Sequence, residues 1–134
     1  MKSFNASTLL FALGLFLLSA PACSPGFDAK GLDNITNIGT KLLDLMNKAT
    51  SSYNSTAAAS LLTEIDKAYE HAQSVKGNKS VAESWRLLKT DIVAPFIEKW
   101  KTDGKLDKDF VKEAVATAKK SITAITNAEK AKKK

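Results

Sequence analysis

A single histidine, His71, limits at once what this chain can do by acid–base catalysis or metal binding. Imidazole and thiolate metal sites draw on several such ligands, and one histidine with one cysteine, Cys23, cannot supply either cage. A hydrolytic triad would have to be built around His71. That residue lies between Glu70 and Ala72, in a stretch whose apolar positions are Ala68, Tyr69 and Ala72, and so reads as a solvent-facing helix position. Glu64 and Asp66 are two apart, on different faces of a helix, and do not make an acid and base couple. The acids of "DGKLDKD" (residues 103–109) recur as in a calcium loop, but neither register places Gly sixth and Glu twelfth. Turn and helix-cap roles account for them better. With no glycine-rich phosphate loop either, the chain reads as non-enzymatic and without a cofactor or metal.

The rest of the chain is apolar patterning. Ile35, Ile38, Leu42, Leu45, Met46, Ala49 and Tyr53 recur at three and four, which predicts a helix from Asp33, its N-cap. After "SSYNST" a second helix is predicted from Thr56 to Val75, carrying Leu61, Leu62, Ile65, Ala68, Tyr69 and Ala72 and stopped at Gly77. A third opens at "SVAE", where Ser80 and Glu83 read as a capping box, and buries Val81, Trp85, Leu88 and Ile92. Pro95 should kink or split it before Phe96, Ile97 and Trp100. Asp107 caps a last helix with Phe110, Val111, Ala114, Val115, Ala118, Ile122 and Ile125 inward. No stretch alternates at period two. The expectation is an all-α fold, an antiparallel bundle of four to five amphipathic helices.

Residues 1–22 read as a signal peptide: Lys2, an apolar run from Leu9 to Ala20, and a small-x-small cleavage signal at Ala20 and Ala22. A run of a dozen is short of the roughly 20 residues that span a bilayer. The expected organisation is an irregular lead-in over residues 23–32, a helical domain over 33–127 and a Lys-rich tail over 128–134. One cysteine rules out a disulfide within the chain. Sequons at Asn34, Asn54 and Asn78 mark glycosylation candidates and a secreted, extracellular or cell-wall location. The net charge of +6 is largely terminal: removing Lys2 and the four lysines Lys130, Lys132, Lys133 and Lys134 leaves +1. Such a tail could attract an anionic polymer or lipid head group; nothing points to a specific nucleic acid or to a transmembrane protein.

Two segments carry a family resemblance. "SSYNSTAAASLLTEIDKAYEHA" (residues 51–72) and "LLKTDIVAPFIEKWKTDGKLDKDFVKEAVATAKKSITAIT" (residues 87–126) resemble fungal hydrophobic surface binding proteins and cell wall galactomannoproteins. These share a Tyr and small polar turn before a helix, a helix interrupted by Pro, and a closing helix. The Lys-rich end departs from that family's pattern. The resemblance implies a secreted helical protein that holds a fatty acid or other lipid between its helices, or coats apolar surfaces. The positions that would line such a cavity are Leu42, Leu45, Ile65, Tyr69, Leu88, Ile92, Phe96, Phe110 and Ala114. The competing expectation is a secreted effector or interaction protein with a solid-packed bundle and a protein partner. A membrane-active peptide is a third, disfavoured by the near balance of charge outside the tail.

Overall fold

Helices account for most of residues 27–132, which are the residues that the computed structural model describes, and no strand occurs among them. The expected signal peptide, Cys23, and the terminal Lys133 and Lys134 lie outside the described residues. Helix α1 spans Ala29–Asn47 and closes in a 3₁₀ turn, Lys48–Thr50. Helix α2 spans Ser55–Ser74 and α3 Lys79–Leu87. A π-helical stretch, Leu88–Val93, joins α3 to α4, Ala94–Asp103, and α5 spans Lys108–Ala131.

The first helix begins earlier than its periodicity suggested. Asp28, not Asp33, holds the N-cap position, and the turn expected to be irregular is helical because Gly31 is buried one turn before Ile35. Asn54 caps α2: its Oδ1 accepts the Ala57 N–H at 3.0 Å, as a short side-chain acceptor does for an orphan first-turn amide. After α2 the chain reverses through Gly77, whose φ of 79° is open to a residue without Cβ. The capping box expected from Ser80 and Glu83 does not form. The N-cap of α3 is Asn78, two residues before Ser80, and Glu83 instead makes an ion pair with Arg86 one turn on. Asp107 behaves as expected, its carboxylate accepting from the amides of Asp109 and Phe110 at 3.0 and 3.2 Å.

The chain stays helical up to and beyond Pro95, with a boundary between the π stretch and α4 at Ala94. The ladder widens ahead of the proline, and the Ala94 N–H reaches the Lys89 carbonyl, five residues back. Pro95 brings no amide of its own, so the wider turn takes up the register change before the ring.

One contiguous apolar core runs through all the helices, with Trp85, Trp100 and Phe96 its largest fully buried side chains. Helix α1 packs most extensively on α5 and also on α2, and α2 packs on α3. At Gly39 a Cβ would stand 2.8 Å from Cγ2 of Ile122, so the missing methyl is what lets α1 and α5 approach so closely. At one end of the molecule two backbone bonds join the loops: Tyr53 N–H to Gly104 O and Leu106 N–H to Ala49 O, both 2.8 Å. Trp100 adds its indole N–H to Ser51 O at 2.9 Å and meets Tyr53 edge-on, 5.2 Å between centroids.

Candidate functional site

At the opposite end, four chain segments bring ionisable groups together out of water. The last turn of α5 contributes Glu129 and Lys132, and the start of α3 contributes Asn78, all three buried. The end of α2 contributes His71, and the entry to α1 contributes Asp28.

Lys132 lies at the centre. Its Nζ donates to Glu129 Oε1 at 2.6 Å and to the Asn78 amide oxygen. The pair is secluded, with the two side chains only 7% and 1% exposed. Asn78 turns its Nδ2 to the carbonyl of Ala72 at 3.3 Å, so both ends of the amide are engaged. Beside it, His71 Nε2 lies 2.8 Å from Asp28 Oδ2, and an ionised carboxylate requires the ring nitrogen to be the donor. Burial works to raise the Asp28 pKa. The Gly31 amide, the hydrogen bond and charge of His71 and the charge of Lys132 outweigh it and hold the carboxyl below its ordinary value. The Gly31 amide acts through proximity, since Asp28 makes no regular capping hydrogen bond.

Gly31 separates the two carboxylates. A Cβ there would lie 2.4 Å from Glu129 Oε2 and 2.6 Å from Asp28 Oδ2. Glu129 Oε2 has no hydrogen-bond partner among the described residues. The group is thus two adjoining pairs, Glu129 with Lys132 and Asp28 with His71, with the charge of Lys132 also acting on Asp28. Its chemistry is that of a clamp. Among the described residues no Ser, Thr or Cys side chain bonds to the His71 ring, and no three His, Cys, Asp or Glu side chains are grouped to hold a metal ion.

These positions revise several expectations. His71 is half-buried and ion-paired rather than turned to solvent. Residues 128–132 are not a solvated tail: α5 continues to Ala131, and Lys132 is inside. Asn78 cannot carry a glycan in this fold, because the Nδ2 that would be glycosylated is buried and bonded to Ala72. Asn54 is exposed at the start of α2, and Asn34 is half-buried within α1.

The nine positions named as a lipid lining all belong to the core or its margin. Leu42, Ile65, Leu88, Ile92, Phe96 and Ala114 are 0–1% exposed, which leaves no space the width of a water molecule beside them. An acyl chain is wider than that. Leu45 is buried as well, while Tyr69 and Phe110 are partly buried at the margin. Phe110 stacks on Phe96 with centroids 6.0 Å apart, and Lys99 Nζ lies 5.3 Å from its ring centre. The stripes fill one another.

The polar clamp was missed although a signal for it exists. The inward spacing of α5, Ala114, Ala118, Ser121 and Ile125, continues without interruption to Glu129 and Lys132. Two oppositely charged residues three apart on a buried face are a pair waiting for a polar neighbour. No described helix is long and apolar enough to cross a membrane. Comparison with protein-family models, with curated proteins and with solved structures finds no match for this chain.

Proposed function

We propose that this is a secreted, non-catalytic helical protein that works through its outer faces, as an interaction protein with a solid-packed bundle. The filled interior carries the reading: six of the nine candidate lining positions have no free space beside them. The one imidazole is occupied in joining α2 to the entry of α1.

We also infer an antiparallel arrangement of four rods, the third made of α3, the π stretch and α4. In support, the polar clamp gathers the starts of α1 and α3 with the ends of α2 and α5. The loop bonds at the other end gather the end of α1, the end of α4 and the start of α5.

A fluorescent fatty acid titrated into the secreted protein tests the proposal. The expected result is no saturable binding at micromolar lipid. Saturable binding that is displaced by unlabelled lipid and lost in Ile92→Asp would overturn it. It would favour the carrier role that the family resemblance implies, with the rods parting to admit the chain. One feature supports that second reading, the π-helical Leu88–Val93, since such irregular turns concentrate at functional sites.

A further inference from the structure

The exposed side of α5 carries a straight row of lysines. At about 100° per residue, Lys108, Lys112, Lys119 and Lys130 fall within about 40° of one another and span about 33 Å of helix. All four are exposed, and none has an ion-pair partner among the described residues. Elsewhere some lysines meet acids, Lys41 with Glu64, Lys89 with Asp66 and Lys99 with Asp103, and others such as Lys30, Lys67, Lys76 and Lys101 are exposed without an ion pair among the described residues; alignment along one helix is what sets the α5 lysines apart. The exposed acids of α5, Asp109 and Glu113, lie about 75–115° further round, beside Lys120.

The neighbouring surface adds nothing negative. The flank of α5 bearing Ile122 faces Gly39 of α1. Following Gly39 outward around α1 come Thr36, Leu43 and Asn47, all uncharged. Thr36 and Asn47 donate their side chains to carbonyls of their own helix, at 2.8 Å each. The row is therefore a line of lysines without ion pairs, bordered by uncharged surface on the α1 side and by Asp109 and Glu113 on the other. The near balance of charge outside the tail conceals it, because the compensating acids sit on other faces.

We propose that this row is a docking surface for a linear acidic polysaccharide, one bearing carboxylate or sulfate groups along its length. The proposal rests on the reading of a filled bundle acting through its surface. A line of lysines matches a line of anions, each contact adding an increment that salt weakens. Lysine gives a point charge suited to either anion without a bidentate demand. A membrane fits less well, since the only large apolar side chain strongly exposed among the described residues is Phe27, a single residue rather than an apolar face. A single-stranded nucleic acid fits less well too, because no aromatic side chain lies along the row to stack on bases.

The test compares two quadruple variants of the full secreted chain with equal net charge. One is Lys108→Gln, Lys112→Gln, Lys119→Gln and Lys130→Gln. The other is Lys30→Gln, Lys67→Gln, Lys76→Gln and Lys101→Gln, exposed lysines on the other helices and loops. The probes are heparin and polygalacturonate, with phosphatidylserine vesicles and oligothymidylate alongside. At about 50 mM NaCl the wild type should bind one or both polysaccharides, the row variant about tenfold or more weaker, and the control variant nearly unchanged. Heparin alone would assign sulfate as the preferred anion, polygalacturonate alone carboxylate, and either supports the proposal. The single Lys119→Glu should weaken binding in the same direction and keeps the test valid if a quadruple variant loses its helical circular dichroism. Equal loss in both quadruples, no binding to either polysaccharide, or tighter binding to vesicles or oligothymidylate would overturn it. Failure here leaves the filled core standing, whereas fatty-acid binding would overturn the filled core whatever the polysaccharides do.

Discussion

Replacing Lys132 by Met should cost this domain a large part of its stability, although the residue is third from the end of the chain. The side chain is 7% exposed and holds Glu129, 1% exposed, together with the Asn78 amide oxygen. Methionine keeps the apolar stem and removes the charge. Glu129 then stands as a buried carboxylate without a counter-ion, and its Oε2 already lacks a partner among the described residues. Leaving a buried charge unpaired costs about 3–5 kcal/mol. Natural domains have only about 5–15 kcal/mol in total, so the midpoint of thermal unfolding should fall by about 10 °C or more. Urea unfolding followed by circular dichroism measures the change. Adding Glu129→Leu to Lys132→Met should restore most of it, since an apolar pair of similar volume often replaces a buried ion pair at little cost. The double-mutant cycle should therefore show coupling of about 2 kcal/mol or more. A Lys132→Met protein within about 0.5 kcal/mol of wild type would refute the reasoning, because it would mean that the end of α5 is frayed and solvated in solution.

Two further outcomes follow from the same packing. Asp28→Asn removes a charged partner of His71 and should cost about 1.5–3 kcal/mol at neutral pH. The folded-state pKa of Asp28 lies below its ordinary 3.8. Its contribution is therefore complete above that value and is lost as pH falls from there through the lowered one. The gap between wild type and variant, read from urea midpoints, should be present above about pH 5 and close below about pH 4; an undiminished gap down to acid denaturation would contradict it. Gly39→Ala should destabilise by about 1 kcal/mol, because overpacking against Ile122 outweighs the roughly 0.5–1 kcal/mol that a helix gains from Ala over Gly. In an Ile122→Ala background the sign should reverse, which thermal unfolding of the four proteins would show.

The helices were legible because their signal is local. Asp107 marks a start that the chain obeys through bonds spanning two or three residues, and Gly77 a reversal that it obeys through a positive φ. Errors at the ends came from long-range partners. Helix α1 starts at Ala29 because Gly31 lies against Glu129, nearly a hundred residues away, and no periodicity near Gly31 reports that contact. The Ser80 and Glu83 box had the right spacing. Asn78, held by Lys132 and Ala72, sets the start of α3 instead, and Glu83 is left for Arg86.

Whether facing apolar stripes enclose a cavity is a question that no stripe answers, because period and composition are the same for a filled core and a lined one. The difference lies in how volumes meet across the rods. Here Phe96 stacks on Phe110, Gly39 admits the methyl of Ile122, and Trp85 and Trp100 are fully buried in the core. Small residues at α5, Ala114 and Ala118, then serve close helix approach rather than space. The same logic explains why charge misled. Lys132 counts as tail charge by position yet neutralises Glu129 inside, while Lys112 and Lys119 vanish into an average although they stand unpaired on one line. Sorting each lysine by what it faces, rather than by where it falls in the chain, moves the functional question from the terminus to the side of α5.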